Sequence, residues 1–267
     1  MHATTNAPSL AEHLRSAPFE LILSSGFFGF YAHAGVIAAL QEEGLVPALF
    51  GGSSAGALVA SLCAAGMPAD ELRERLFALR RQEFWDFDPR LGTGPHSHGP
   101  GLLRGGAFAE ILLRSFSQLG VRTFADCRIP LRVVVYGIQE RATVVLDRGE
   151  LAAAVRASCT LPVLFQPVSI DGKRYLDGGI SDRAGIRAAT PGARVLYHHL
   201  APKSPWRFLW SAQNAPPRWP DLHLLYAPNT PRLGPFSLER GPKAYEAARA
   251  EARRVLRSPA HLSRHPS

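Results

Sequence analysis

Cysteine is scarce in this chain: only Cys63, Cys127 and Cys159 among 267 residues. The count is odd and the spacing wide, which excludes a disulfide framework and a CxxC-type metal knuckle. Three reduced thiols suit a cytoplasmic setting. Charge is thin as well, at 19% Asp, Glu, Lys and Arg, below the usual quarter. Long apolar runs are missing. The weakly polar stretch Ala55–Met67 is too short to span a bilayer. Met1–Pro18 has no basic segment followed by an apolar one, so no secretory signal is expected. Internal repeats and heptads are absent, which excludes solenoids and coiled coils.

What is present is a large apolar fraction, 46%. That is enough for one sizeable core without a metal or disulfide staple. The net charge is +8 and uneven. From Arg232 to Ser267, eight basic residues face three glutamates. Such a tail forms a solvated helix face or leans on anionic lipid. Nucleic acid is not an expected partner, because Tyr245 is the only stacking aromatic in the tail helix.

Short apolar runs alternate with helical patterns through the first half. Strands are predicted at Phe19–Ser24, Pro47–Gly51, Leu131–Gly137, Thr143–Asp147, Arg194–His199 and Leu222–Tyr226. Helices are predicted at Ser9–Ala17, Ala32–Glu43, Ala55–Ala65, Pro68–Arg81, Ala107–Gln118, Leu151–Ala157 and Pro242–Arg257. Asp171-Gly172 marks a hairpin between Val168–Ile170 and Arg174–Leu176. Leu91–Gly106, with six glycines and two prolines, reads as a mobile loop. The pattern implies an α/β fold of three layers, αβα, with a mostly parallel central sheet. Residues 1–18 form an N-terminal arm and 19–200 the main domain. Residues 201–267 extend that domain with a Pro/Trp-rich loop and a basic terminal helix.

Gly52-Ser53-Ser54-Ala55-Gly56 fits GxSxG, between a short strand and a helix. A serine on that turn projects its hydroxyl from the sheet, and the helix N-terminus favours developing negative charge. Ser54 is therefore the candidate nucleophile. No lysine follows at P-loop spacing, which argues against a phosphate cradle. The loop Ser25-Gly26-Phe27-Phe28-Gly29-Phe30-Tyr31 follows the first strand, and in a parallel sheet it lies beside Ser54. Gly26 and Phe27 are the candidate oxyanion donors, with the N–H of Ala55 as another. The four aromatics of this loop line an acyl-chain pocket or belong to the core.

Serine needs a base. Asp177-Gly178-Gly179 leaves the hairpin, and burial would raise the pKa of Asp177 to suit that task. The order Ser54, Asp177, then His198 or His199 also matches an α/β-hydrolase triad. Against that fold, only one strand–helix unit precedes Ser54, and the glycine-bearing loop is close before it. His198 and His199 face opposite ways on a strand. His96 and His98 lie in the glycine-rich loop, where an exposed polar role is expected.

Taken together, Leu23–Gly29 leading to His33-Ala34-Gly35-Val36, then Gly52–Gly56, then Asp177-Gly178-Gly179 resemble the patatin-like phospholipase family. The stretch Ala157-Ser158-Cys159-Thr160-Leu161-Pro162 with Phe165, Pro167-Val168 and Tyr175-Leu176-Asp177 is similar too. The resemblance covers about Phe19–Leu200. It implies a lipid acyl hydrolase with a Ser54–Asp177 dyad, an acyl-enzyme, an oxyanion hole at Gly26, and no cofactor or metal. The substrate would be a lipid or other acyl ester. The alternative is a non-catalytic lipid-binding or membrane-adaptor protein on the same fold, suggested by the basic tail and by the segment Pro205-Trp206-Arg207-Phe208-Leu209-Trp210. Trp206, Phe208, Trp210 and the loop Leu91–Gly106 are the expected membrane contacts or lid.

Overall fold

The computed structural model describes residues 7–80, 103, 105–201, 215–231, 233–234 and 236–264. Most of the glycine-rich loop, with His96 and His98, and the whole Trp206–Trp210 segment lie outside the described residues.

The chain runs α1 (Leu10–Arg15), β1 (Glu20–Leu23), α2 (Phe30–Glu42), β2 (Leu49–Ser53), α3 (Ala55–Ala64) and α4 (Ala69–Ala78). It continues through α5 (Gly106–Gln118), β3 (Leu131–Gly137), β4 (Ala142–Leu146), α6 (Leu151–Ser158), β5 (Val168–Ile170) and β6 (Lys173–Asp177). It ends with β7 (Val195–His199), β8 (Leu222–Tyr226), α7 (Gly241–Arg257) and α8 (Ala260–Ser263). This is the expected three-layer α/β fold, and its central sheet is mostly parallel. The order β3-β2-β1-β7-β8 is parallel throughout, and β4, β5 and β6 add antiparallel pairings.

Side-chain alternation sorts the strands between two cores. Leu21, Leu23, Val133, Val135, Leu196 and Leu225 face the helical side. Ile22, Val134, Val195, Tyr197 and Leu222 face the other, where Ala184, Ile186, Ala188 and Trp219 cover them. That explains why β1 and β2 read as continuous apolar runs: both are buried on two faces.

Helix α2 is the pivot of the helical layer. Eleven residues from Phe30 to Leu40 are buried, as expected of a helix enclosed on all sides. It starts two residues earlier than its periodicity suggested. Phe30 and Tyr31 therefore sit in its first turn, buried, and Phe28 is buried beside them. Of the four aromatics in that segment only Phe27 is exposed; the other three are core. Helix α7 crosses α2 so closely that a Cβ on Gly35 would strike the Tyr245 carbonyl oxygen. Three arginines of the basic tail pair with the end of α2. Arg249 and Arg253 pair with Glu42, and Arg257 pairs with Glu43.

Substituting Gly35 by alanine adds helix propensity of roughly 1 kcal/mol. The overlap is with backbone, which cannot yield as a side chain would. A net loss of about 1–3 kcal/mol is expected in denaturant or thermal unfolding.

Candidate active site

The register of β3 brings the candidate residues together. Strand β4 occupies one edge of β3. The other edge is shared end to end. Strand β2 pairs along Leu131–Val134, with Ser53 opposite Val134. Strand β6 pairs along Val135–Gly137, with Asp177 opposite Val135. The carboxyl ends of β2 and β6 thus meet head to head, and Ser54 and Asp177 flank the junction.

Ser54 sits at φ 53°, ψ −120°, a backbone region that non-glycine residues rarely adopt. Its N–H donates to Ser158 Oγ at 2.8 Å, and Ser158 Oγ–H donates to the Val134 carbonyl at 2.7 Å. The Cys159 thiol donates to the Ser54 carbonyl at 3.3 Å. Helix α3 begins at once. A Cβ on Gly56 would collide with the Leu23 carbonyl oxygen, so only glycine lets α3 sit on the end of β1.

Asp177 is 1% exposed. Its N–H donates to the Thr160 carbonyl at 2.9 Å, and its Oδ1 accepts from Gly179 N–H at 2.7 Å. Oδ2 completes no hydrogen bond of standard geometry, yet the Ser54 hydroxyl is near enough to stabilise the charged form. Such contacts in a substrate-free site commonly tighten on binding. Burial pushes the Asp177 pKa up to about 6, against the pull of Ser54, Gly179 N–H and Arg183. Asp182 does not compete for this position. Its carboxylate accepts the N–H groups of Gly185, Ile186 and Arg187.

The loop after β1 is tied to the segment after β6, since Ser25 N–H donates to the Arg183 carbonyl at 2.8 Å. Gly29 N–H closes a turn onto the Gly26 carbonyl at 2.7 Å, and Phe28 takes φ 57°. Among the described residues, the N–H groups of Gly26 and Phe27 have no acceptor. Ala55 N–H is a first-turn helix donor that the helix itself leaves unused.

His198 and His199 are both buried on β7. His198 Nδ1 lies 2.8 Å from His33 Nδ1, and His33 Nε2 lies 2.9 Å from the Ser24 carbonyl. The network assigns the tautomers. His33 donates from Nε2 to Ser24, so its Nδ1 accepts a proton donated by His198 Nδ1. Burial holds the His33 pKa at about 4 and His198 well below the ordinary histidine range. His198 Nε2 makes no hydrogen bond. The pair thus braces the carbonyl that precedes the loop at Gly26. Neither Ser158 nor His33 was picked out by spacing, because each acts on a residue distant in sequence or through the backbone. A 570 Å³ hollow lined by Leu49, Pro130, Leu131 and Arg132 opens at the amino ends of β2 and β3, the wrong end for Ser54.

The family model for patatin-like phospholipases matches residues 21–190, from β1 through Asp177. The chain belongs to the patatin-like phospholipase family. Within that family, it is 34% identical over 164 residues to an uncharacterized NTE family protein of Mycobacterium tuberculosis, covering 61% of this chain and 42% of that one. It is 29% identical over 199 residues to the lysophospholipase NTE1 of Mycosarcoma maydis, covering 73% of this chain and 10% of that one. The chain thus spans under half the length of either relative. Among solved structures, VipD from Legionella pneumophila superposes with TM-score 0.55 at 15% identity, over 90% of this chain and 66% of that one. That likeness carries the patatin-like fold alone.

Two stability experiments follow from this geometry. Ser158→Ala leaves the buried Ser54 N–H without its acceptor, and a loss of about 1–3 kcal/mol is expected in urea unfolding. Asp177→Asn acts in the opposite direction. The folded-state pKa of Asp177 lies near 6, above the unfolded value of 3.8, so its stabilising share is complete below pH 3.8 and lost as pH rises through 6. At pH 8 the ionised carboxylate costs on the order of 2–3 kcal/mol. The asparagine variant should therefore melt higher than wild type at pH 8, with the gap shrinking toward pH 4.

Proposed function

We propose that the protein is a lipid acyl hydrolase that works through a Ser54–Asp177 dyad and an acyl-enzyme. The observation that carries this reading is the buried Asp177 carboxylate, raised in pKa and facing the hydroxyl of a strained strand-to-helix serine.

Ser54 Oγ attacks the ester carbonyl while its proton passes to Asp177 Oδ2, the oxygen with no other hydrogen bond. The pKa near 6 makes Asp177 a stronger base than an exposed aspartate while leaving it ionised at neutral pH. The tetrahedral oxyanion takes the N–H groups of Gly26 and Phe27, with Ala55 N–H at the positive end of α3. Asp177 returns the proton to the departing alkoxide. Water then attacks the acyl-enzyme with Asp177 again accepting the proton, and Asp177 passes it to Ser54 Oγ as the carboxylic acid leaves.

A lipid ester as substrate is supported by the family and by the lysophospholipase among its relatives. Exposed apolar side chains on both flanks add to it. Phe27 stands on the loop after β1, and Val163 follows the segment that touches Ser54 and Asp177 through Cys159 and Thr160. No described helix is long and apolar enough to cross a membrane.

A fluorophosphonate probe should label Ser54, and release of fatty acid from a lysophospholipid panel should drop at least about a thousandfold in Ser54→Ala and in Asp177→Asn. In wild type, kcat/KM should fall about tenfold per pH unit below pH 6 as Asp177 is protonated. Turnover or labelling that survives Ser54→Ala would refute the reading, and a wild type with neither would leave the fold as a lipid-binding scaffold.

A further inference from the structure

Three side chains converge far from Ser54, where both chain ends meet the outer strand β8. His13 comes from α1, Asp221 immediately precedes β8, and His223 lies within it. One ligand-capable atom from each lies within 4.8 Å of the others. The place is already knitted by backbone. Ser9 bridges Pro259, and His223 bridges Arg264.

Hydrogen bonding determines where the protons are. Ser263 Oγ–H donates to the Ala260 carbonyl at 2.8 Å, so toward His223 Nδ1, also at 2.8 Å, it accepts. His223 Nδ1 therefore carries the proton and Nε2 a bare lone pair. That Nε2 is buried, 3.4 Å from Asp221 Oδ1, and makes no hydrogen bond. Two electron-rich atoms facing each other at that distance repel unless a cation lies between them. His13 Nε2 is also buried without a hydrogen bond, and its ring centroid is 4.9 Å from that of His223.

We propose that His13 Nε2, His223 Nε2 and Asp221 Oδ1 bind one divalent transition-metal ion of the zinc class. Two imidazoles and a carboxylate suit zinc. Tetrahedral coordination at about 2 Å sets ligand atoms roughly 3.3 Å apart, a spacing His223 and Asp221 already have. His13 closes by a rotation of its ring, and water completes the set. The surrounding shell is in place as well. Ser263 orients His223, and Arg194 Nε, 3.2 Å from Asp221 Oδ2, turns Oδ1 toward the imidazoles. Arg264 stands 4.0 Å from Oδ1 on a mostly exposed side chain and swings away when the ion binds. The role is structural. The site lies at the amino end of β8, whereas Ser54 follows the carboxyl end of the parallel strand β2. The ion would clip α1 and α8 to the sheet edge.

The full chain, stripped with chelator, is titrated with zinc chloride by calorimetry and melted with and without zinc. One ion per chain bound through this cluster is expected. Saturating zinc should raise Tm by about 5 °C or more, reversibly with EDTA. His13→Gln leaves the buried His223–Ser263 bond intact, so it should fold, yet lose at least tenfold in affinity and most of the Tm rise. Asp221→Asn should do the same, while His96→Gln/His98→Gln should retain both. No zinc binding by wild type, or an affinity and Tm rise unchanged in His13→Gln and Asp221→Asn, overturns the proposal.

Discussion

The hydrogen bond from Ser54 N–H to Ser158 Oγ is the contact on which the site hangs. A serine at φ 53° carries backbone strain of about 1–3 kcal/mol and persists only where its surroundings over-determine it. Ser158 supplies that determination by linking Ser54 to the Val134 carbonyl. Val134 and Val135 are neighbours on β3, and Val135 pairs with Asp177. One strand thus fixes the strained serine through α6 and the carboxylate through the ladder. Precision at the site comes from regular structure rather than from loops.

Electrostatics follow from the same packing. The elements that enclose Asp177 remove water from it, and that desolvation is what raises its pKa. Gly179 N–H and Arg183 offset part of the penalty without cancelling it. Basicity and instability of the ionised site are therefore one quantity seen from two sides. The neutral His33–His198 pair completes the picture: a polar contact is buried beneath the loop at Gly26 without adding charge to a dry region.

Much of the fold was legible locally. Short apolar runs, helical spacing and the Asp171-Gly172 turn marked elements whose order makes an α/β sheet. The turn residues Asp171 and Gly172 take positive φ as that signal implies. Ser54 and Asp177 stood out as candidates because Gly52 and Gly56 surround the serine and Gly178 and Gly179 follow the aspartate. The aromatics around Phe28 were less legible. A segment rich in phenylalanine reads alike whether it lines a pocket or enters a core, and helix α2 drew Phe30 and Tyr31 inward. The ion pairs of the basic tail were not legible either, since Glu42 at the end of α2 and Glu43 just past it lie some two hundred residues earlier.

Three ordered motifs therefore sufficed for family and fold class, because glycine turns and apolar periods are local consequences of backbone sterics and burial. What awaited the folded chain were the contacts between distant residues that no motif marks. Ser158 beneath Ser54, His33 against His198, and His13 beside Asp221 and His223 join residues with no spacing signal between them. The reason is physical: side-chain proximity there is set by which strands share an edge of β3 and where the chain ends meet β8, and strand pairing is a property of the whole sheet.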